Sequence, residues 1–423
     1  MQSSRRMFLR GLASVAGAAG AVTAASAQHD DHIGASASPA APAPARPSTV
    51  AGPQIVPGVA EVVTPDVPRM PWRLEGGVKV FDIRVEPVRT EFLPGRVVDA
   101  WGFNGSVPGP TIEVIEGDRV RLIVENRLPE PFSMHWHGLE IPFDMDGMPG
   151  ISQDPIAPGG TFTYEFTLRQ NGTCFYHSHM PMQEMMGLIG LFIIHPRRPH
   201  APAVDRDFGI ILQEWSILPN NTIPNSLAME FNWLTLNGRA GPATTPLLVK
   251  LGERVRIRMV NMGMDHHPMH LHGHQFLVTG TEGGRIRAAP VQPENTVLVG
   301  VAQARDIEFV ATNAGDWHLH CHLPHHMMNQ MVSMVGPEMT SGANTPRPPA
   351  SGEAPNHGMV PGFPQDMFMV MDDRFAKPET VGLRTGWSGG TMGMMTLVRV
   401  LEPALFDRIQ ALKAGQARAG AGR

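Results

Sequence analysis

The sequence has few of the residues that build disulfide scaffolds, nucleic-acid surfaces or membrane spans. Of its 423 residues only two are cysteine and two are tyrosine, and 6% are aromatic. Charged residues make up 17% of the chain and the formal net charge is -5, which argues against nucleic-acid binding. By contrast, 45 glycines and 40 prolines indicate many turns, which favours an all-β fold over a helical bundle.

The amino-terminal segment has the pattern of an export signal. Residues 3–10 read SSRRMFLR, a stretch of Gly, Ala and Val follows, and Ala25-Ser26-Ala27 precedes Gln28. This pattern predicts a twin-arginine signal peptide over residues 1–27. The apolar stretch is too short to favour the alternative of a membrane anchor. We therefore expect export to the periplasm or the cell exterior by the twin-arginine pathway, with no membrane span in the mature protein.

The central part of the chain contains an internal duplication. Residues 116–126 (EGDRVRLIVEN) match residues 251–261 (LGERVRIRMVN), and MHWHG at 134–138 matches MHLHG at 269–273. Alternating apolar residues, as at 120, 122 and 124, predict β-strands in each copy. The sequence therefore predicts two β-domains that arose from one.

The predicted domain layout places these copies between two less regular segments. A flexible linker rich in Ala and Pro is predicted at 28–57. The two domains are predicted at 58–200 and 201–340. Residues 341–423 are predicted to form a linker and a Met-rich C-terminal extension, with a short helix from about Pro403 to Ala414, and not a third copy.

Four histidine clusters suggest metal sites. Residues i and i+2 of a strand point to the same face, so each His-x-His pair can present two imidazoles to one metal ion. A single pair is more often a surface or core pair, and only the coincidence of four favours ligation. The clusters are His135-Trp136-His137, His177-Ser178-His179, His267-Pro268-Met269-His270-Leu271-His272, and His320-Cys321-His322 with His326.

The fourth cluster combines imidazoles with a thiol. Cys321 lies between His320 and His322 and therefore points to the opposite face of the strand. One strand can thus serve two metal sites. Two further histidines and Met331 can complete a His₂Cys site with a weak axial thioether, the arrangement of a blue copper centre.

With these motifs the chain resembles the multicopper oxidase family of laccases and bacterial copper-resistance oxidases, over roughly residues 75–337. The resemblance implies two cupredoxin-like Greek-key domains and four copper ions per functional unit. It also implies oxidation of a reducing substrate at a type 1 copper and reduction of O2 to two waters at a three-copper cluster. The implied ligands are His267, Cys321, His326 and Met331 for type 1, His135 and His270 for type 2, and His137, His177, His179, His272, His320 and His322 for the type 3 pair.

Comparison of the two copies divides these ligands unequally. When the two copies are aligned, the type 1 residues correspond to Phe132, Ser178, Gln183 and Leu188 of the first copy, whereas the cluster histidines have counterparts in both copies. Each copy then holds half of a cluster. In two-domain relatives the cluster forms between neighbouring subunits, so the resemblance implies a homotrimer. Cys174 has no ligand counterpart, and we interpret it as a buried structural thiol without a disulfide.

The proton donor and the substrate are less closely defined. Asp146 stands where the family has an acidic residue that helps to move protons, although Asp146-Gly147 is also a turn dipeptide. Met-rich stretches suggest Cu(I) or another metal ion as the substrate, but methionine also fills cores. The alternatives are a broad-specificity phenol-oxidising laccase and, from another class, a non-catalytic periplasmic copper-binding protein.

Overall fold

The computed structural model describes residues 56–218, 221–286, 292–329 and 370–421. The predicted signal peptide, nearly all of the predicted linker, and Met331 lie outside these residues. Within them strands make up most of the regular structure, which confirms the all-β prediction. No helix of this described part is both long and apolar enough to cross a membrane.

The described part of the first half of the chain contributes ten strands. Along β6 the residues at 120, 122 and 124 are buried and those between them are half-buried, as the alternating pattern predicts. The strands are β1 (Val62–Val63), β2 (Arg73–Glu75), β3 (Val78–Leu93), β4 (Arg96–Phe103), β5 (Gly109–Ile115), β6 (Arg119–Asn126), β7 (Met134–His137), β8 (Thr161–Thr167), β9 (Gly172–Ser178) and β10 (Ile189–His195).

Two sheets of the first half enclose one hydrophobic core. A five-stranded sheet has the order β2-β3-β6-β8, with β4 beside β3, and a four-stranded sheet has the order β5-β10-β9-β7. Phe81 and Tyr164 of the first sheet and Trp136 and Phe192 of the second belong to the same buried cluster. The packing holds β7 and β9 side by side, and these strands bear the first two histidine pairs.

The second half repeats this architecture. The residues that face its core include Val255, Ile307, Leu319 and Val398. Its strands are β11 (Arg206–Trp215), β12 (Trp233–Leu236), β13 (Leu247–Lys250), β14 (Arg254–Asn261), β15 (His267–Leu271), β16 (Leu277–Thr281), β17 (Gly284–Arg285), β18 (Thr296–Val299), β19 (Gln303–Val310), β20 (Gly315–Cys321) and β21 (Met395–Leu401).

The sheets of the second half repeat the central strand order of the first and have further strands at their edges, among them β1 of the first half. One sheet has the order β1-β11-β14-β19-β16-β17, with β12 beside β11, and the other has the order β13-β21-β20-β15-β18. Strand β21 pairs parallel with β13 and antiparallel with β20, just as β10 pairs with β5 and β9. Thus β21 is the counterpart of β10, although it lies beyond residue 340.

Short helices connect or follow the strands. Helix α1 spans Pro403–Ala421, so it confirms the predicted helix and extends it. Its Phe406 and Ile409 are buried against Leu248 and Leu401. The 3-10 helices are Phe143–Met145, Glu184–Met186, Pro324–Met327, Asp372–Phe375, Pro378–Thr380 and Trp387–Gly390.

The two halves share a buried interface. Apolar side chains of both halves, among them Phe175 and Val260, form one cluster. Beside it, the Thr173 hydroxyl donates to Asp306 (2.7 Å) and accepts from the Arg258 guanidinium (2.7 Å). The guanidinium also makes two 2.8 Å bonds to Asp207. Because these buried polar groups form hydrogen bonds with one another, the energetic cost of removing them from water is offset.

Candidate metal centres

Strands β7 and β9 bring four histidines of the first half together. His135 on β7 lies directly opposite His177 on β9. The centroid of the His135 ring is 5.3 Å from that of His177 and 5.2 Å from that of His179. One donor atom from each of His135, His137 and His177 lies within 4.8 Å of the others. These imidazoles are therefore placed to share a metal site.

Strands β15 and β20 repeat this arrangement in the second half. His270 on β15 lies opposite His320 on β20. The centroid of the His270 ring is 4.7 Å from that of His272, 5.6 Å from that of His320 and 5.5 Å from that of His322. Each copy thus presents a four-imidazole group, built on equivalent strands.

Backbone carbonyls orient two histidines in each group. A carbonyl oxygen only accepts, so each of these Nδ1 atoms carries the hydrogen and leaves the Nε2 lone pair free for a metal ion. The Nδ1 to carbonyl distances are His135 to Asp146, 2.8 Å; His177 to Ser178, 2.7 Å; His270 to Asn295, 2.7 Å; and His320 to Cys321, 2.8 Å.

Burial keeps the imidazoles of His137 and His320 unprotonated near neutral pH. Desolvation, with repulsion from the neighbouring histidines, lowers the pKa of His137 to about 4. Desolvation also lowers the pKa of His320 to about 4, despite its bond to the Cys321 carbonyl. Because a metal ion binds the neutral imidazole, both groups are ready for ligation without losing a proton.

The two groups remain apart within one chain. Among the described residues, ring contacts between these eight histidines join members of the same group only. His272 and His322 are exposed, and His137 and His179 are half-buried. Each group therefore leaves imidazoles facing solvent.

A third site lies inside the core of the second half. The Cys321 sulfur is 3.7 Å from Nδ1 of His267 and 3.4 Å from Nδ1 of His326, and the two Nδ1 atoms are 3.2 Å apart. All three residues are at most 1% exposed. Burial raises the pKa of Cys321 to about 12 and lowers that of His326 to about 3. The site is a buried set of two imidazoles and one thiol.

Glu214 is a neighbour of this site that the sequence motifs do not indicate. Its carboxylate, fully buried on β11, lies 3.1 Å from Nε2 of His267 and accepts from the backbone N–H groups of Met264 and Asp265. When the Nε2 atom donates to this carboxylate, Nδ1 keeps its lone pair and directs it towards Cys321. The sequence signal is weak: Glu214 follows Gln213 at the end of a strand whose middle, residues 208–212, is apolar.

Asp146 lies beside the first four-histidine group. Its backbone carbonyl accepts from Nδ1 of His135, and its carboxylate Oδ1 lies 3.6 Å from the same atom. It follows directly after the 3-10 helix that contains the exposed Asp144. Asp146 therefore lies in a turn, as the sequence predicts, and also lies near the imidazoles. Met331 lies outside the described residues.

Among the described residues, the first half has no counterpart of the buried thiol site. At the position of Cys321 it has Ser178, whose hydroxyl donates to the Gln183 side chain across 2.7 Å. Both residues are buried, as is Phe132. A hydrogen-bonded pair replaces two metal ligands there, so the duplication has diverged as the comparison of the copies predicts.

Next to the thiol site, a shallower group reaches the surface. Asp265, His325 and His326 each offer a donor atom within 4.8 Å of the other two. The Asp265 carboxylate lies 3.5 Å from Nε2 of His326 and its side chain is 43% exposed. Through Asp265 and His325 the thiol site therefore comes close to solvent.

The donor chemistry fits copper at both kinds of site. Two imidazoles and one thiolate form the equatorial set of a blue copper centre, and imidazole groups also suit copper ions. Copper binding would displace the proton of the Cys321 thiol. The imidazoles of His137, His320 and His326 need no such displacement, because burial already lowers their pKa values.

The lowered histidine pKa values predict acid sensitivity of the copper-free protein. His326 is nearly fully buried and titrates near pH 3 when folded, but near its ordinary value of 6.5 when unfolded. The unfolded chain thus binds more protons below pH 6.5, so stability is present above that pH and decreases on acidification. For this one histidine the expected loss is about 1.4 kcal/mol per pH unit.

Urea unfolding of the copper-free chain between about pH 7 and about pH 5 measures this loss. The variant His326→Gln should show a smaller decrease in the free energy of unfolding over the same interval. An equal decrease in both proteins would contradict the assignment of the shifted pKa to His326.

The chain is similar in sequence to known copper proteins and laccases. Copper resistance protein A of Escherichia coli is 39% identical over 145 residues, which are 34% of this chain and 24% of that protein. Laccase-2 of Botryotinia fuckeliana is 32% identical over 247 residues, 52% of this chain and 41% of that protein. The chain thus spans less than half the length of these curated relatives.

A solved structure agrees with these matches. The blue copper oxidase from Nitrosomonas europaea is 31% identical, with a TM-score of 0.56 over 59% of this chain and 81% of that chain. Two family models, both described as multicopper oxidase, match residues 84–199 and 217–338, together more than half of the chain. The chain therefore belongs to the multicopper oxidase family.

Proposed function

We propose that the protein is a copper-dependent oxidase that couples four one-electron oxidations of a substrate to the reduction of O2 to two waters. The observation that carries this proposal is the placement of Cys321 on β20. Its sulfur lies with His267 and His326, whereas the adjacent His320 lies with the second four-histidine group. A single strand thereby joins an electron-entry site to an imidazole group.

The residues that would hold copper follow from these two kinds of site. Bound copper would supply one-electron chemistry at the thiol site and reduction of O2 among the imidazoles. The type 1 copper would be held by His267, Cys321 and His326 together with an axial residue. The type 2 copper would be held by His135 and His270, and the type 3 pair by His137, His177, His179, His272, His320 and His322.

The chain itself provides the connection between the sites. From the Cys321 sulfur a few covalent bonds lead through the peptide backbone to the rings of His320 and His322. The Cys321 carbonyl also accepts from Nδ1 of His320 at 2.8 Å. Glu214 orients His267 at the other end. These fixed contacts hold the donors of both sites without a conformational change.

Asp146 is proposed to supply protons to the imidazole group. Reduction of O2 to water consumes protons, and a carboxylate beside His135 can deliver them. Its side chain is 40% exposed, so it can exchange protons with solvent. The turn that contains it is fixed by the hydrogen bond from its backbone N–H to the carbonyl of Phe143 (3.2 Å).

The functional unit is proposed to be a homotrimer. Each chain has two unlike halves of a cluster, which are separate and partly exposed within the chain. A heterologous contact that pairs the first half of one chain with the second half of the next closes into a ring. In a ring of three chains, each interface would complete one three-copper cluster.

The substrate is proposed to be Cu(I) or another metal ion. The support is Asp265, which adds a half-exposed carboxylate next to His326, with the exposed His325 beside it. Imidazole donors suit copper and iron ions, and carboxylate donors suit ions such as Mn²⁺. A broad-specificity phenol-oxidising laccase remains the alternative, and a non-catalytic copper-binding protein is the alternative from another class.

We propose export by the twin-arginine pathway to the periplasm or the cell exterior, supported by the pattern of residues 1–27.

The variant Cys321→Ser tests the oxidase function. The copper-loaded protein should have an intense visible absorption band and take up oxygen in the presence of a reductant. The variant should lose both, because serine does not provide the thiolate. The matched control Cys174→Ser changes the other buried cysteine and should retain both properties.

The same assay separates the alternatives. Copper binding without oxygen uptake by the unmodified protein would contradict the oxidase function and favour a copper-binding protein. A higher catalytic efficiency with Cu(I) than with a phenol is expected, and the reverse would favour a laccase.

The variant Asp146→Asn tests the proton role. Reoxidation of the reduced protein by O2 should slow by about tenfold or more, because a general acid is lost. Anaerobic bleaching of the visible band by a reductant should be unchanged. The control Asp144→Asn, two residues away and exposed, should reoxidise at the normal rate. Equal rates for both variants would reject the role of Asp146.

A further inference from the structure

A buried methionine far from the histidine motifs lies across the sheet from Cys321. Strands β20 and β21 are antiparallel, with His320 opposite Met395. The next pair along is Cys321 and Met394, whose backbones are joined by a 3.0 Å bond from the Cys321 N–H to the Met394 carbonyl. Directly opposed residues of an antiparallel pair point to the same face of the sheet. Met394 therefore shares the face of Cys321.

Contacts on both sides fix Met394 at the thiol site. Its side chain is fully buried and belongs to the same hydrophobic cluster as Cys321. Its backbone N–H donates to the carbonyl of His326 at 2.9 Å. One residue is thus bonded through its backbone to two of the three donor residues of the site.

The neighbouring Gly393 permits this close approach. Its φ is +64°, and a Cβ atom there would lie 2.2 Å from the carbonyl oxygen of His326. The side chain of Asn329 accepts from its N–H at 3.1 Å and donates to the carbonyl of Gly241 at 2.8 Å. The segment before β21 is therefore held against the loop that contains His326.

The internal duplication gives an independent argument for the same position. In the first half, Ser178 has the place of Cys321, and its N–H donates to the carbonyl of Leu188 at 3.2 Å. Leu188 follows a glycine of positive φ, as Met394 does, and begins the approach to β10 as Met394 does to β21. Leu188 is also the residue that comparison of the sequences sets opposite Met331. The structure sets it opposite Met394.

Another described methionine on the face of Cys321 does not share this distinction. Met269 pairs with Cys321 from β15, but the first half has Met134 in the equivalent place opposite Ser178. A methionine therefore occurs at this position in both halves, with or without the thiol site. At the position of Met394, by contrast, the first half has Leu188. This difference is expected when the second half needs a thioether ligand there.

We propose that Met394, rather than Met331, supplies the weak axial thioether of the type 1 copper. This inference rests on the proposed function, since it presumes copper at His267, Cys321 and His326. A long insertion between His326 and β21 then separates the axial ligand from the other ligands in sequence, while strand pairing keeps it beside them.

Three variants of the copper-loaded protein test this assignment: Met394→Leu, Met394→Gln and, as the matched control, Met331→Leu. The axial ligand tunes the reduction potential of a blue copper site. Leucine conserves side-chain volume and removes a donor, so Met394→Leu should raise the potential of the type 1 copper. Met394→Gln adds an oxygen donor that favours Cu(II), so it should lower it. Met331→Leu should leave it unchanged.

Copper content and the visible and electron paramagnetic resonance spectra are measured on the same samples. Opposite shifts for the two Met394 variants support the assignment, because a general loosening of the fold gives no reversal of sign. A shift in Met331→Leu, or none in the Met394 variants, would overturn it. If the unmodified protein binds copper without a visible thiolate band, the proposed function fails and the assignment fails with it.

Discussion

The alternation of side chains along β20 is the constraint on which both kinds of candidate site depend. Successive residues of a strand face opposite sides of a sheet, so Cys321 points into the core while His320 points to the second four-histidine group. The neighbouring strands β15 and β21 hold β20 on both edges and bring their own residues to each face. A shift of one residue in this pairing would exchange the two faces and destroy both sites.

The internal duplication explains why the two halves are alike in the sheet and unlike in the core. Both halves keep the imidazoles that face outward from the paired strands. In the core the first half has the hydrogen-bonded pair Ser178 and Gln183, and the second half has Cys321 and His326. A buried polar pair is tolerated when each group finds a partner, so the first half could lose a metal site without losing its fold.

The sequence predicts the local features of the molecule well, and it predicts the contacts between distant parts of the chain poorly. Alternation within β6 and the His-x-His spacing are local properties of a strand, so the all-β fold and the histidine groups can be read from the sequence. Glu214 reaches His267 only because β11 packs beside the site, and no motif marks it. The position of Met394 depends on the pairing of β20 with β21 across a long insertion, and a ligand at a fixed spacing after His326 points instead to Met331.

We propose that each chain has two unlike half-clusters that are completed between chains. Co-production of two variants, His137→Gln in the first half and His272→Gln in the second, tests it most directly by oxygen uptake. Each variant alone should be inactive. Mixed rings made from equal amounts should recover about a quarter of the wild-type activity, since that share of interfaces joins two intact halves. Absence of recovery in the mixed rings would contradict the claim and place the whole cluster within one chain.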